Sequence, residues 1–94
     1  MTKPSQLPVP HPAVLFRPIS EGAVLLHGDD EVYFGLDEVG ARIWQLLPPH
    51  SGTLDEVVAA LQAAYPEVDA ETLRVDASDL LAELRAAGLV TDAG

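Results

Sequence analysis

Apolar positions along this chain follow two different periods, and the switch between them falls near Leu36. Before it, apolar residues come in three short runs: Val14-Leu-Phe-Arg17, Ala23-Val-Leu-Leu-His27 and Glu31-Val-Tyr-Phe-Gly-Leu36. Pro18 and Ser20-Glu-Gly22 separate the first two, and Gly28-Asp-Asp30 separates the second from the third. Short runs bounded by turn residues predict three strands joined as an antiparallel meander. Upstream, Pro4, Pro8, Pro10 and Pro12 exclude a helix or an interior strand. Residues 1–12 are therefore expected to form an extended, mobile tail, with one folded domain over 13–91.

After Leu36 the spacing becomes helical. Asp37 is placed to cap a first helix whose Val39, Ile43, Leu46 and Leu47 share a face, and Pro48-Pro49 stops it. Thr53-Leu-Asp-Glu56 has the form of a capping box and opens a second helix with the stripe Leu54, Val58, Leu61, Tyr65, ended by Pro66. Asp69 is placed to cap a third, with the stripe Leu73, Ala77, Leu80, Leu84, Ala87, and Gly88 is its natural C-terminal residue. The order is βββ then ααα. This predicts an α+β fold, a three-stranded antiparallel sheet followed by three helices, similar to a winged helix-turn-helix with the sheet first.

Size and composition narrow the function classes. Ninety-four residues provide one core and little room for an enclosed active site. Apolar content of 48% with 21% charged residues is that of a globular chain. No apolar run reaches the roughly 18 residues that would suggest a membrane span. The opening Met-Thr-Lys-Pro lacks a signal-type apolar core, so the cytoplasm is the expected location and no membrane partner is expected.

Cysteine is absent, which removes disulfides, thiolate metal sites and thiol nucleophiles. His11, His27 and His50 lack metal-ligand spacing and read as surface or half-buried residues. Ser5, Ser20, Ser51 and Ser78 lack a nucleophile-elbow context, and no glycine-rich phosphate loop exists. Neither a catalytic set, a metal site nor a cofactor site is expected, and the chain reads as a non-enzyme.

Charge bears on the helix-turn-helix likeness. Fifteen acids against five bases give a net −10, a field that repels nucleic acid. The third helix, which would read DNA, carries Glu71, Asp76, Asp79 and Glu83 beside only Arg74 and Arg85. A nucleic-acid-binding or regulatory winged helix is thus the alternative reading, and an interaction subunit for another folded protein is a third.

Peptide capture suits these residues better. A short meander leaves an open edge, a row of unpaired amides and carbonyls. The segment Glu31, Val32, Tyr33, Phe34, Gly35, Leu36 has one charge and no proline, so it is competent to accept a further strand. Alternation puts Val32 and Phe34 on the core face and Tyr33 on the other. Gly35 either admits a partner backbone or marks a bulge. On the third helix a second line beside the core stripe, Arg74, Ser78, Leu81 and Arg85 with Val75, is more apolar than a solvated face requires. It is the expected second wall of a groove, and Ala77 of the core stripe is counted with it among the peptide-binding residues.

Taken in order, Tyr33-Phe-Gly-Leu-Asp-Glu-Val-Gly-Ala-Arg-Ile-Trp-Gln-Leu-Leu47, Thr53-Leu-Asp-Glu-Val57, Tyr65-Pro66, Val68-Asp69 and Leu84-Arg-Ala-Ala-Gly-Leu-Val90 resemble the PqqD-like family. The most specific stretch is Leu-x-x-x-Gly-x-Arg-Ile-Trp across Leu36–Trp44, and the likeness runs from about Leu15 to Val90. Family members are recognition elements for precursor peptides of ribosomally made natural products. This chain looks most like the discrete leader-binding proteins of lasso-peptide pathways. Asp37-Glu38 replaces the family's Asn-Pro/Ser at the helix start, which keeps the cap but points away from pyrroloquinoline quinone synthesis itself.

The resemblance implies that a precursor's leader segment adds as a strand at Glu31–Leu36 and lies between it and the third helix. It implies a second partner, a separate maturation enzyme, in lasso pathways a cysteine protease that removes the leader. Family leaders often carry an aromatic residue, a proline and a few lysines. Gly40, Arg42, Ile43 and Trp44 are expected to serve structure: close packing, a surface ion pair, core, and an anchor of helix to sheet. The open edge also makes a homodimer through this strand an expectation.

Overall fold

The computed structural model describes residues 7–28, 32–48 and 52–91. A short β1 (Val9–Pro10) leads into β2 (Val14–Ile19), β3 (Gly22–His27) and β4 (Val32–Asp37). Three helices follow, α1 (Glu38–Gln45), α2 (Leu54–Ala64) and α3 (Ala70–Ala86), and β5 (Val90–Thr91) closes the chain. The third strand expected from the sequence is β4. The expected sheet followed by three helices is the observed architecture, with one small sheet added to it.

The meander has the order β2-β3-β4, antiparallel throughout, so β3 is central and β4 is an edge. On β3, Ala23, Leu25 and His27 are buried against the helices, while Val24 and Leu26 are half-buried on the outer face. The β2 strand runs two residues past Arg17, through Pro18 to Ile19. Proline is tolerated there because β2 is the other edge of this sheet and needs no donor at that position. Pairing of β3 with β4 is one-for-one from Gly22↔Asp37 to His27↔Val32, which rules out a bulge at Gly35.

The helix signals act as their chemistry predicts. Asp37 Oδ1 accepts the Gly40 amide at 2.7 Å. Thr53 and Glu56 form the reciprocal capping box. At the end of α3 the Leu89 amide reaches the Leu84 carbonyl and the Gly88 amide the Arg85 carbonyl, with Gly88 at φ 76°. That is a Schellman closure, and it requires the left-handed conformation glycine adopts freely. Asp69 differs: it occupies the N-cap position of α3, but its side chain makes no capping hydrogen bond.

Leu25 from the sheet, Ile43 and Leu47 from the α1 region, Val57 and Leu61 from α2, and Leu73 and Leu84 from α3 form the core. Trp44 is buried with them, and Arg42 stays outside, its guanidinium over the Tyr65 ring. Among the described residues no helix is long and apolar enough to cross a membrane.

Two expectations are corrected here. Over residues 7–12 the proline-rich segment is part of the fold. Val9 and Pro10 pair with Thr91 and Val90, the His11 amide bonds the Leu89 carbonyl, and Leu7 is only 2% exposed. Leu7 and Pro8 seal the core where Leu89 and Val90 enter it. His27 is also not a surface residue. It is 6% exposed, its ring lies 4.5 Å from that of His11, and its buried Nδ1 has no hydrogen-bond partner among the described residues.

Candidate functional site

The hydrogen-bond phase of the sheet decides what β4 offers to a partner. Ser20 and Glu21 form a two-residue turn between Ile19 and Gly22, whose pairing closes the first hairpin. Paired residues alternate between those that exchange main-chain bonds and those that do not. Counting from that closure, Gly22, Val24 and Leu26 of β3 bond toward β2. Ala23, Leu25 and His27 therefore bond toward β4, to Leu36, Phe34 and Val32. Two observations fix this phase: the Val14 amide turns to the His11 carbonyl, and the Gly28 amide to the Ala13 carbonyl. Tyr33 and Gly35 are left with their amides and carbonyls directed at the open edge.

Beside that edge lies a cleft of about 510 Å³. Phe34, Gly35, Leu36 and Asp37 of β4 form one wall, and Asp76, Asp79, Leu80 and Glu83 of α3 the other. Val39, Gly40 and Ile43 of α1 floor it. Gly40 belongs there for a packing reason: a Cβ on it would stand 3.1 Å from Asp37 Oδ1 and 3.3 Å from Leu36 Cδ2. The floor is apolar and the rim is acidic. Among the described residues, no three His, Cys, Asp or Glu side chains are grouped to hold a metal ion.

The structure brings together only part of the residue set read from the sequence. Phe34, Gly35 and Leu36 line the cleft. Val32 is half-buried on the same face of β4, and Tyr33, 71% exposed, turns its ring to the outer face of the sheet. Glu31 lies outside the described residues.

On α3 the cleft runs along the opposite flank from the expected wall. Ala77 is fully buried in the core. Arg74 is held by Asp55 of α2, and Leu81 is half-buried against the core. Ser78, Val75 and Arg85 are exposed away from the cleft. At 3.6 residues per turn, positions 74, 78, 81 and 85 run along one side of the 73/77/84 stripe, and 76, 79, 80 and 83 along the other. The first side meets α2; the second faces β4 across the cleft. Asp76, Asp79 and Glu83 entered the sequence reading only as charges that argue against DNA, and Leu80 only as part of the core stripe.

Residues 22–90 match the family described as coenzyme PQQ synthesis protein D (PqqD). Among solved structures, the chain described as "TbiB1 in Complex with the TbiA(beta) Leader Peptide" is 37% identical, with a TM-score of 0.78, and the match covers 92% of this chain and 98% of that one. No curated protein sequence matches.

Proposed function

The chain belongs to the PqqD family, and from that premise we propose that it binds the leader segment of a ribosomally made precursor peptide without catalysing a reaction itself. The leader adds as a strand to β4, bonding the outward main-chain groups of Tyr33 and Gly35. Its inward side chains enter the cleft against Phe34, Leu36, Val39, Ile43 and Leu80. The bound leader is then presented to a separate maturation enzyme, and a lasso-peptide pathway, with a cysteine protease to remove the leader, is the setting we favour. Without a leader, the same edge is open to a second copy of the chain.

The observation that carries this reading is an open strand edge beside an apolar cleft, in a chain 37% identical to one solved with a leader peptide bound. The fold's likeness to a DNA reader does not extend to charge, because the exposed side of α3 that borders β4 is acidic.

Fluorescence polarisation with labelled TbiA(beta) leader, and with the leader of any short precursor peptide found encoded beside this chain, tests it. Saturable binding to at least one is expected. Tyr33→Pro should weaken that binding at least tenfold while leaving the β3–β4 bonds intact, because the amide it deletes points outward. Absence of saturable binding to both leaders would reject the proposal, as would salt-sensitive binding to duplex DNA in their place.

A further inference from the structure

The cleft has one wall in the sheet and the other on a helix that packs elsewhere. A strand bonded to β4 stands about 4.8 Å from it, so where its side chains meet α3 depends on where α3 is held. The α3 helix packs mainly on α2, with smaller contacts on α1 and β5, and α1 in turn packs on β3 and β4. A separate connection from the end of α3 to the sheet runs through residues 7–12, outside the helices.

His11 is where that strap is tied. Its amide donates to the carbonyl of Leu89, just past the end of α3, and its carbonyl accepts the Val14 amide at the start of β2. Its Nδ1 accepts the Ala13 amide at 3.0 Å. Its ring lies against that of His27, the last residue of β3, which pairs with Val32 of β4. Pro12 and Ala13 are the corners of the turn that the Val14–His11 bond closes, and proline is favoured at the first of them. Upstream, Val9 and Pro10 pair with Thr91 and Val90, and the Leu7 amide reaches the Gly52 carbonyl ahead of α2.

Resting on the strand-addition reading above, we propose that the strap over residues 7–12 positions α3 against β4, with His11 as its positioning residue. None of these residues lines the cleft. They hold the C-terminal half of α3, which carries Asp79, Leu80 and Glu83 on the cleft wall, at the separation a guest strand needs. A binding site loses affinity when its supporting contacts let a wall shift by about 1 Å, even with every wall residue in place.

The chain has no cysteine, so two introduced cysteines can carry spin labels by themselves. Arg17→Cys on β2 and Ala82→Cys on α3 replace exposed residues that do not line the cleft. The distance between their labels, read by pulsed electron paramagnetic resonance, reports where α3 stands relative to the sheet. It is measured in the otherwise unchanged protein and with His11→Ala, His11→Asn, Leu7→Ala or Val68→Ala added. Asparagine suits the first position of the turn and its Oδ1 can accept the Ala13 amide, so it restores the bond that alanine removes. Leu7→Ala loosens the same strap at its other end and serves if His11→Ala folds poorly. Val68, packed against the core in the turn between α2 and α3, is the control for stability lost away from the strap.

The unchanged, His11→Asn and Val68→Ala proteins should give one narrow distance distribution, and His11→Ala and Leu7→Ala broader ones. Labelled leader, tested as above on the versions without cysteine, should bind His11→Ala about fivefold more weakly, and His11→Asn and Val68→Ala within about twofold of wild type. Narrow distances and unchanged affinity in both His11→Ala and Leu7→Ala overturn the strap proposal and leave strand addition standing. Equal broadening in Val68→Ala or His11→Asn overturns it too, because the tie at His11 would then not be what holds α3. No leader binding to the unchanged protein rejects strand addition instead, and the distances alone then decide whether the strap positions α3.

Discussion

Gly22 closes the first hairpin at φ 152°, and a Cβ there would lie 2.0 Å from the Leu36 carbonyl oxygen. That contact is with main chain of β4, so relief would have to displace the strand that forms one wall of the cleft. Gly22→Ala should cost about 3 kcal/mol, measured by urea unfolding, from clash and unfavourable backbone together. A change below about 0.5 kcal/mol would mean that β3 and β4 do not approach as described. Gly35 is the contrasting case. Its missing side chain faces open space, its pairing is regular, and no backbone strain demands glycine. Regular pairing removes the bulge reading, and clearing the approach of a guest strand to the edge is the role we propose for it. Asp37 links the two functions of this region, since one oxygen caps α1 while the side chain borders the cleft.

At the scale of elements, local chemistry was legible and long-range pairing was not. Capping by Asp37, the Thr53/Glu56 box and the Gly88 closure each depend on residues within a few positions of one another, and each could be read directly. The β1–β5 pair joins opposite ends of the chain, and its four residues have no periodicity to announce them. Prolines there suggested a detached tail, but a two-residue edge pairing tolerates proline and the neighbouring Leu7 and Pro8 supply apolar burial. Leu7→Ala should therefore destabilise the protein by about 2–4 kcal/mol in chemical unfolding. An unchanged midpoint would return residues 7–12 to the status of a tail. The flank of α3 was illegible for a different reason. A helical stripe has two flanks of equal standing in the sequence, and only the packing of α3 against α2, which leaves its other flank on the cleft, chooses between them.

For the whole molecule, the fold class was legible because every strong signal agreed: a meander, then three capped helices around one apolar stripe each. The family likeness pointed to β4 and the third helix, and the residues of that helix that line the cleft are Asp76, Asp79, Leu80 and Glu83, where Arg74, Ser78, Leu81 and Arg85 had been expected. That change of flank also gives the net charge of −10 a local meaning. Part of that acidity, Asp37, Asp76, Asp79 and Glu83, lines the cleft.

Strand addition makes its sharpest demand on two amides. Hydrogen exchange followed residue by residue, with and without a saturating leader peptide, reads them directly. The Tyr33 and Gly35 amides, which point to the open edge in the free protein, should slow by at least tenfold on binding, while Val32, Phe34 and Leu36, already bonded to β3, should change far less. Saturable binding that leaves Tyr33 and Gly35 exchanging as before, or that protects the β2 edge in their place, would contradict it.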